Sequence, residues 1–250
     1  AMGYFTAVLD ADPTSPAGLV SHHHIQTGYE DPQGLAELAR VADAVTTEFE
    51  NVPAAALAAL AAERPVSPAA SAVSVAQDRA REKAHFVACG VPCAPYAVIE
   101  TASQLEAVSA DLLPGILKTA RMGYDGKGQF LLRDSEKIAA CWNELGGRVP
   151  LIAEEFIQFK RELSIIAVRG QDGATLFYPL AENHHHRGIL SHSIVPAPHL
   201  DENTRLMAER YISSILHELG HVGVLTLELF ETRHGLMANE TAPRVHNSGH

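Results

Sequence analysis

An acid inside an apolar strand is the first residue that needs a chemical explanation. In Val224-Leu225-Thr226-Leu227-Glu228-Leu229-Phe230 a single carboxylate interrupts a run of strand-forming residues. Burying an unpaired carboxylate is costly, so Glu228 must meet a proton or a cation. The turn at Thr232 to Gly235 folds Leu236 to Glu240 back beside that strand, in a register that sets Glu240 opposite Glu228 to within about one residue. Two carboxylates, with the amide of Asn239 next to them, are hard oxygen ligands of the kind that hold Mg²⁺ against phosphates. Glu228 and Glu240 are therefore the candidate metal ligands. The competing reading is a buried ion pair with a cation such as Arg244.

Three further segments carry polar groups that suit a phosphorylated ligand. Gly123-Tyr124-Asp125-Gly126-Lys127-Gly128-Gln129 has three glycines in seven residues, which lets the backbone approach an anion closely, and Lys127 adds charge. Lys118, on the strand before it, offers a second cation to the same phosphates. It is not a Walker loop, since no Gly-Lys-Ser/Thr opens a helix, and an ordinary hairpin turn is the competing reading. Ala153-Glu154-Glu155-Phe156-Ile157 ends a strand whose main-chain groups could read an adenine while an acid receives ribose hydroxyls. Glu162 is a second ribose candidate, and solvated acids at a strand end are the alternative. In Arg244-Val245-His246-Asn247-Ser248-Gly249-His250, the Arg244 fork could clamp a planar anion. His246 and Asn247 could position it as proton donor and hydrogen-bond partner.

The elements that must position these groups follow from periodicity and punctuation. Phe5 to Leu9 reads as a strand, Leu35 to Arg40 as a short amphipathic helix, Ala44 to Thr47 as a second strand, and Pro53 opens an alanine-rich helix. This alternation predicts a parallel sheet covered by helices. Gln77 to Cys89 is a charged helix carrying Arg79, Arg81 and Lys83. Strands at Gly115–Lys118 and Phe130–Leu132 enclose the glycine loop, and Ser135 to Leu145 reads as a helix. Leu151–Phe156 is a strand, and Leu163–Val168 with Thr175–Tyr178 forms a hairpin around Gly170-Gln171-Asp172-Gly173. A long helix from Asp201 to Leu219 precedes the closing hairpin.

Composition narrows the partners. The chain has 250 residues, 46% of them hydrophobic, enough for a substantial core. A formal charge of -11 without a cluster of Lys and Arg argues against nucleic acid. No apolar run has the length of a membrane span and no signal peptide opens the chain, so no membrane is expected. Cys89, Cys93 and Cys141 lack metal spacing and read as reduced, partly buried thiols, which makes the cytoplasm the expected compartment. Adjacent histidines diverge on any regular element, so His22-His23-His24 and His184-His185-His186 are read as solvated loop residues or a single substrate contact rather than a metal site.

In order along the chain these segments resemble an ATP-grasp enzyme, and within that superfamily the N5-carboxyaminoimidazole ribonucleotide synthase family. The resemblance covers essentially the whole chain. It rests on Thr46-Thr47-Glu48-Phe49-Glu50-Asn51-Val52-Pro53, Gln77-Asp78-Arg79, the glycine loop, Phe177-Tyr178-Pro179-Leu180, and the tract from Asn239 to His250. It implies an α/β and α+β chain: an incomplete, Rossmann-like pre-ATP-grasp domain over 1–75, then a two-lobed ATP-grasp domain with its small lobe over 76–153 and its large lobe over 154–250. The family's opening strand and glycine loop, and its small C-terminal domain, are expected to lie outside these residues. Met122 stands where many members have glycine or threonine.

The resemblance further implies a two-step reaction with ATP and Mg²⁺. ATP phosphorylates bicarbonate to carboxyphosphate, and the exocyclic amine of 5-aminoimidazole ribonucleotide takes the carboxyl group. Arg79, Lys118, Gly123 to Gln129, Glu154, Glu155, Phe156, Ile157, Glu162, His185, Asn239 and Glu240 are then expected to contact ATP, and Glu228 and Glu240 to hold Mg²⁺. Arg244, His246 and Asn247 are expected to hold bicarbonate and stabilise carboxyphosphate. Tyr124, Asp125 and Glu50 fall to the aminoimidazole nucleotide, and a homodimer is implied. Two alternatives stay open: a formate-using ATP-grasp glycinamide ribonucleotide transformylase, and a nucleotide-binding fragment without catalysis.

Overall fold

The computed structural model describes residues 3–108, 112–121, 129–132, 142, 150–186 and 189–249. The first unit opens with strand β1 (Ala7–Leu9), helix α1 (Pro16–Val20), strand β2 (His23–Ile25) and helix α2 (Pro32–Val41). Strands β1 and β2 are parallel, with Ala7 beside His23 and Leu9 beside Ile25. Asp31 caps α2 by accepting from the Gly34 amide at 2.8 Å. Ile25, Leu38, Ala39 and Leu60 form the local core, with Leu9, Val45 and Val66 packed against it.

Two expectations for this unit are corrected. The second strand is not Ala44–Thr47. Val45 makes only an isolated parallel bridge to Val66, and the Thr47 hydroxyl then bonds the Phe49 carbonyl at 2.9 Å, bending the chain away from a ladder. The strand that pairs with β1 contains His23 and His24 instead. Its histidines are tied into the fold: His22 stacks on Phe5 at 4.8 Å, His23 meets Glu37 at 2.8 Å, and His24 reaches the Asp10 carbonyl at 3.1 Å.

Helices α3 (Ala54–Ala61), α4 (Ala70–Ala76) and α5 (Arg79–Ala88) follow, with Asp78 capping α5 through the amides of Ala80 and Arg81. Strand β3 (Tyr96–Ile99), helix α6 (Ala102–Glu106) and strands β4 (Gly115–Thr119), β5 (Gln129–Leu132) and β6 (Leu151–Glu155) build a small antiparallel sheet in the order β3-β6-β4-β5. Leu117, Leu132, Leu151, Ile99 and Leu105 fill its core. Gln129 pairs with Lys118 at the end of the β4–β5 ladder nearest the glycine loop in sequence. Residues Gly123 to Gly128 of the glycine loop, Cys141 and nearly all of the expected Ser135–Leu145 helix lie outside the described residues.

The larger sheet comprises β7 (Arg161–Arg169), β8 (Thr175–Phe177), β9 (Ala181–His186), β10 (Ile189–Ile194), β11 (Gly223–Thr232) and β12 (Gly235–Ala242), ordered β10-β9-β7-β11-β12 with β8 on β7. Helix α7 (Glu202–Glu218) covers one face, where Ile212 and Ile215 meet Leu163, Ile165, Leu227 and Leu229. Phe86 of α5 joins this core, although α5 precedes the small sheet in sequence. Gly235, with φ of 120°, takes the left-handed conformation that the tight β11–β12 turn requires. The run His184-His185-His186 lies on β9, not in a loop, because Ala181 and Asn183 are buried and anchor a regular strand against β7. Alternation then sends its histidines apart: His185 pairs with Glu162 at 2.8 Å, and His184 stacks on His192 at 4.5 Å. Among the described residues, no helix is long and apolar enough to cross a membrane.

Candidate active site

The closing hairpin carries the candidate metal pair, and a β-bulge decides its geometry. Leu229 pairs with Ala238, and Leu227 pairs with Thr241, so Asn239 and Glu240 together face Glu228. An unbroken ladder would set Glu240 opposite Leu227, on the face that packs beneath α7. The extra residue frees Glu240 from that face and turns it toward Glu228. Glu240 is exposed to solvent, yet protein crowds it closely enough to push its carboxyl above the ordinary range. Burial is the main cause and the neighbouring charge of Glu228 the next, offset in part by Arg79 and Lys118.

Like charges held side by side in this way call for a cation. No group of three or more His, Cys, Asp or Glu side chains suited to a metal occurs among the described residues. An ion at Glu228 and Glu240 would therefore draw its other ligands from phosphate oxygens or water. That fits Mg²⁺, which keeps such ligands and takes one or two carboxylates.

The competing ion pair between Glu228 and Arg244 is not formed. The partner of Glu228 is His246, whose Nε2 lies 3.0 Å from Oε1. Arg244 instead reaches back to the first unit, placing its guanidinium 2.7 Å from the Glu50 carboxylate and 3.0 Å from the Val245 carbonyl. His246 and Ser248 are buried, while Asn247 is exposed; the single turn of 3-10 helix (Asn247–Gly249) begins just after His246. Arg244, His246 and Glu228 thus border one region, with Glu50 supplied from the far side.

The cationic side of the cleft is built by α5 and the small sheet. Arg79 opens α5; its main-chain amide bonds the Ala120 carbonyl at 2.9 Å, and its guanidinium bonds the Thr119 carbonyl at 3.1 Å. Lys118 stands on β4, 3.1 Å from Glu154. Burial holds the Lys118 ammonium below its ordinary value, against the pull of Glu154 in the other direction.

Glu154 corrects one expectation: its side chain is not poised at the strand end for a ribose. It is buried between Lys83 at 3.3 Å and Lys118 at 3.1 Å. Burial pushes its carboxyl up, but the two ammoniums outweigh burial and leave it below the usual range. The amides of Glu155 and Phe156 are committed as well, to the carbonyls of Pro95 and Pro114, each at 3.0 Å. A base read in this segment would use its carbonyls or the stretch from Ile157 onward. Phe156 is exposed there, and Phe159 stacks on Phe230 with ring centres 4.7 Å apart. Glu162, raised by burial and held by His185, lies one strand away and is a ribose candidate by position.

Glu82 and Lys83 complete the arrangement; the sequence reading names Lys83 only as a charge on its helix and gives neither residue a role in the site. Both are buried and bond the main chain on either side of Glu240. Their signal was present in α5, where Arg79, Glu82, Lys83 and Phe86 recur at i, i+3, i+4 and i+7. Charges that share a helix face with a core phenylalanine must be buried with it.

Comparison with known proteins identifies the family. Residues 84–250 match the ATP-grasp domain model, and residues 1–77 match the ribonucleotide synthetase preATP-grasp domain model. The N5-carboxyaminoimidazole ribonucleotide synthase of Pseudomonas aeruginosa is 43% identical over 250 residues, covering all of this chain and 68% of that protein. That of Bacillus subtilis is 39% identical, covering all of this chain and 66% of its own length. The crystal structure of the Thermus thermophilus enzyme superposes with a TM-score of 0.91 at 42% identity, over 98% of this chain and 66% of that one. An Aspergillus clavatus structure, in complex with ADP and 5-aminoimidazole ribonucleotide, gives 0.86 at 30% identity, over 98% and 64%. The chain spans about two thirds of the length of these relatives. It belongs to the N5-carboxyaminoimidazole ribonucleotide synthase family of ATP-grasp ligases, which carboxylate 5-aminoimidazole ribonucleotide at the expense of ATP in purine biosynthesis.

Proposed function

We propose that the protein to which these residues belong carboxylates 5-aminoimidazole ribonucleotide with bicarbonate. The observation that carries this reading is the bulged hairpin, which sets Glu240 beside Glu228 with Arg79 and Lys118 near and Glu228 bonded to His246. A bicarbonate oxygen attacks the γ-phosphorus of ATP, the bond to the bridging oxygen breaks, and ADP leaves. The amine then attacks the carboxyphosphate carbon, and phosphate leaves with its bonding electrons and takes up the proton that the nitrogen loses. Bound Mg²⁺ at Glu228 and Glu240 would supply neutralisation of phosphate charge. Arg79 and Lys118, with the loop Gly123 to Gln129, bind phosphates, and the free main-chain groups of the segment Glu154 to Ile157, with Glu162, His185 and Asn239, receive the nucleoside. Arg244 orients bicarbonate through its planar fork, and His246 and Asn247 hold the developing carboxyphosphate. Glu50, Tyr124 and Asp125 would bind the aminoimidazole nucleotide.

The reading includes a pre-ATP-grasp domain over 1–75 and lobes over 76–153 and 154–250, a homodimer, and a cytoplasmic setting without nucleic acid or membrane partners. Release of ADP that needs both bicarbonate and 5-aminoimidazole ribonucleotide is the expected result. ADP release supported by formate and glycinamide ribonucleotide would support the transformylase alternative. Nucleotide binding with no turnover under either condition would support a binding module.

A further inference from the structure

Glu82 and Lys83 are neighbours on α5, and each is only 2% exposed. Two adjacent ionisable side chains in a protein interior need strong compensation. Their partners are the two residues that flank Glu240. Lys83 Nζ donates to the Asn239 carbonyl at 2.9 Å. Glu82 Oε1 accepts from both the Thr241 amide and the Thr241 hydroxyl, each at 2.6 Å.

These bonds flank the interruption of the β11–β12 ladder: Asn239 lies within it, and Thr241 is the first residue paired again, with Leu227. β12 is also the edge strand of its sheet, so its main-chain groups that do not face β11 need other partners. Helix α5 supplies them from outside the sheet. Lys83 has a second attachment, 3.3 Å from Glu154 on β6, and Glu154 also takes Lys118 at 3.1 Å. One lysine therefore ties the strand bearing Glu240 to the sheet bearing Lys118. Phe86 anchors the same helix in the large core without needing either charge. Apolar side chains would be easier to bury at both positions, so the pair is better explained by position than by stability.

We propose that Glu82 and Lys83 are positioning residues for the ligase reaction: they grip Asn239 and Thr241 so that Glu240 stays beside Glu228 and in register with Lys118. The proposal rests on Glu228 and Glu240 being the metal ligands of the nucleotide site. It concerns the main chain of β12 and needs no contact between either residue and the nucleotide.

The test uses ADP and Mn²⁺ as probes, with Mn²⁺ affinity read by electron paramagnetic resonance and ADP affinity by calorimetry with and without metal. Glu82→Gln keeps an acceptor oxygen for Thr241 and should hold Mn²⁺ affinity of the ADP complex within about threefold of the parent. Glu82→Leu removes the acceptor from two buried donors and should weaken Mn²⁺ by about tenfold or more, while metal-free ADP affinity stays within about threefold. Thr241→Val removes only the hydroxyl donor and should weaken Mn²⁺ by about threefold, which decides the matter if the leucine variant does not fold. Parent-like Mn²⁺ affinity in Glu82→Leu or, failing that, in Thr241→Val overturns the proposal. Equal loss of Mn²⁺ and metal-free ADP binding also overturns it, because that is the signature of general structural damage. A parent chain that binds ADP but gains nothing from Mn²⁺ overturns the metal-pair reading itself, and the proposal with it.

Discussion

His246 Nε2 lies 3.0 Å from Glu228 Oε1, and the other ring nitrogen is held by Ser248. The Ser248 amide donates to Nδ1 at 3.3 Å and its hydroxyl stands 2.8 Å away, so Nδ1 is the acceptor and the neutral ring carries its proton on Nε2. The chain of bonds continues inward: Ser164 donates to Ser248 at 2.8 Å, and Asn183 donates to Ser164 at 3.0 Å. Every donor in this buried line points toward Glu228. Removing the middle of it by Ser248→Ala should cost about 1–3 kcal/mol of stability, since buried polar groups lose partners. Urea denaturation checks this, and a midpoint equal to the parent's would show that the line contributes nothing.

Glu240→Gln should reduce ATP turnover by a hundredfold or more, on the order of 3 kcal/mol of barrier, while the fold survives. The motive is the bulge that sets Glu240 beside Glu228 and away from the core. Steady-state ADP release with Mg²⁺ titrated is the measurement. Turnover within about tenfold of the parent contradicts a ligand role for Glu240.

Arg244→Lys keeps the charge but loses the planar fork. The expected result is a rise of about tenfold or more in the bicarbonate concentration needed for half-maximal rate, with ADP affinity by calorimetry little changed. Arg244 is also bonded to Glu50 at 2.7 Å, so Glu50→Gln should alter the bicarbonate dependence in the same assay. Loss of ADP affinity with unchanged bicarbonate dependence would reassign Arg244 to the nucleotide.

Glu154→Leu should destabilise the protein by about 3–5 kcal/mol, because it leaves Lys83 and Lys118 buried without their shared carboxylate. Thermal denaturation without ligand reads this directly. A ribose-contact role alone would weaken nucleotide binding and leave the melting temperature in place.

Glu82 also makes stability depend on pH. Burial, and then the charge of Glu240, push its carboxyl from an ordinary 4.5 up to about 8, against the donors of Thr241 and the charge of Lys83. Its folded pKa is raised, so the folded state binds the proton more tightly than the unfolded chain. The contribution is fully present below about pH 4.5, declines as pH rises, and is lost above about pH 8. Glu82→Gln should flatten that part of the stability profile. An unchanged slope in denaturation measured from pH 5 to pH 9 would show that Glu82 stays ionised when folded.

Much of this arrangement was legible in the residues alone. The apolar run around Glu228 and the turn before Gly235 specified a hairpin, and a hairpin brings its two acids together because strand pairing is local. The helix from Asp201 and the hairpin around Gly170 to Gly173 were legible for the same reason, since periodicity and turn chemistry act over a few residues. The bulge is a different matter: Thr241, just past it, is held by Glu82 on a helix 159 positions away, a contact no local pattern encodes. Likewise Ala44 to Thr47 has strand propensity, but β1 was already paired with His23 to Ile25, and propensity gives way to whichever segment the packing brings alongside. The residue types and spacing of this chain determined which chemistry it could carry. Only the tertiary structure decided that Glu154 holds lysines, that His246 rather than Arg244 holds Glu228, and that a helix braces Glu240, because a buried charge takes the partner the fold brings within reach.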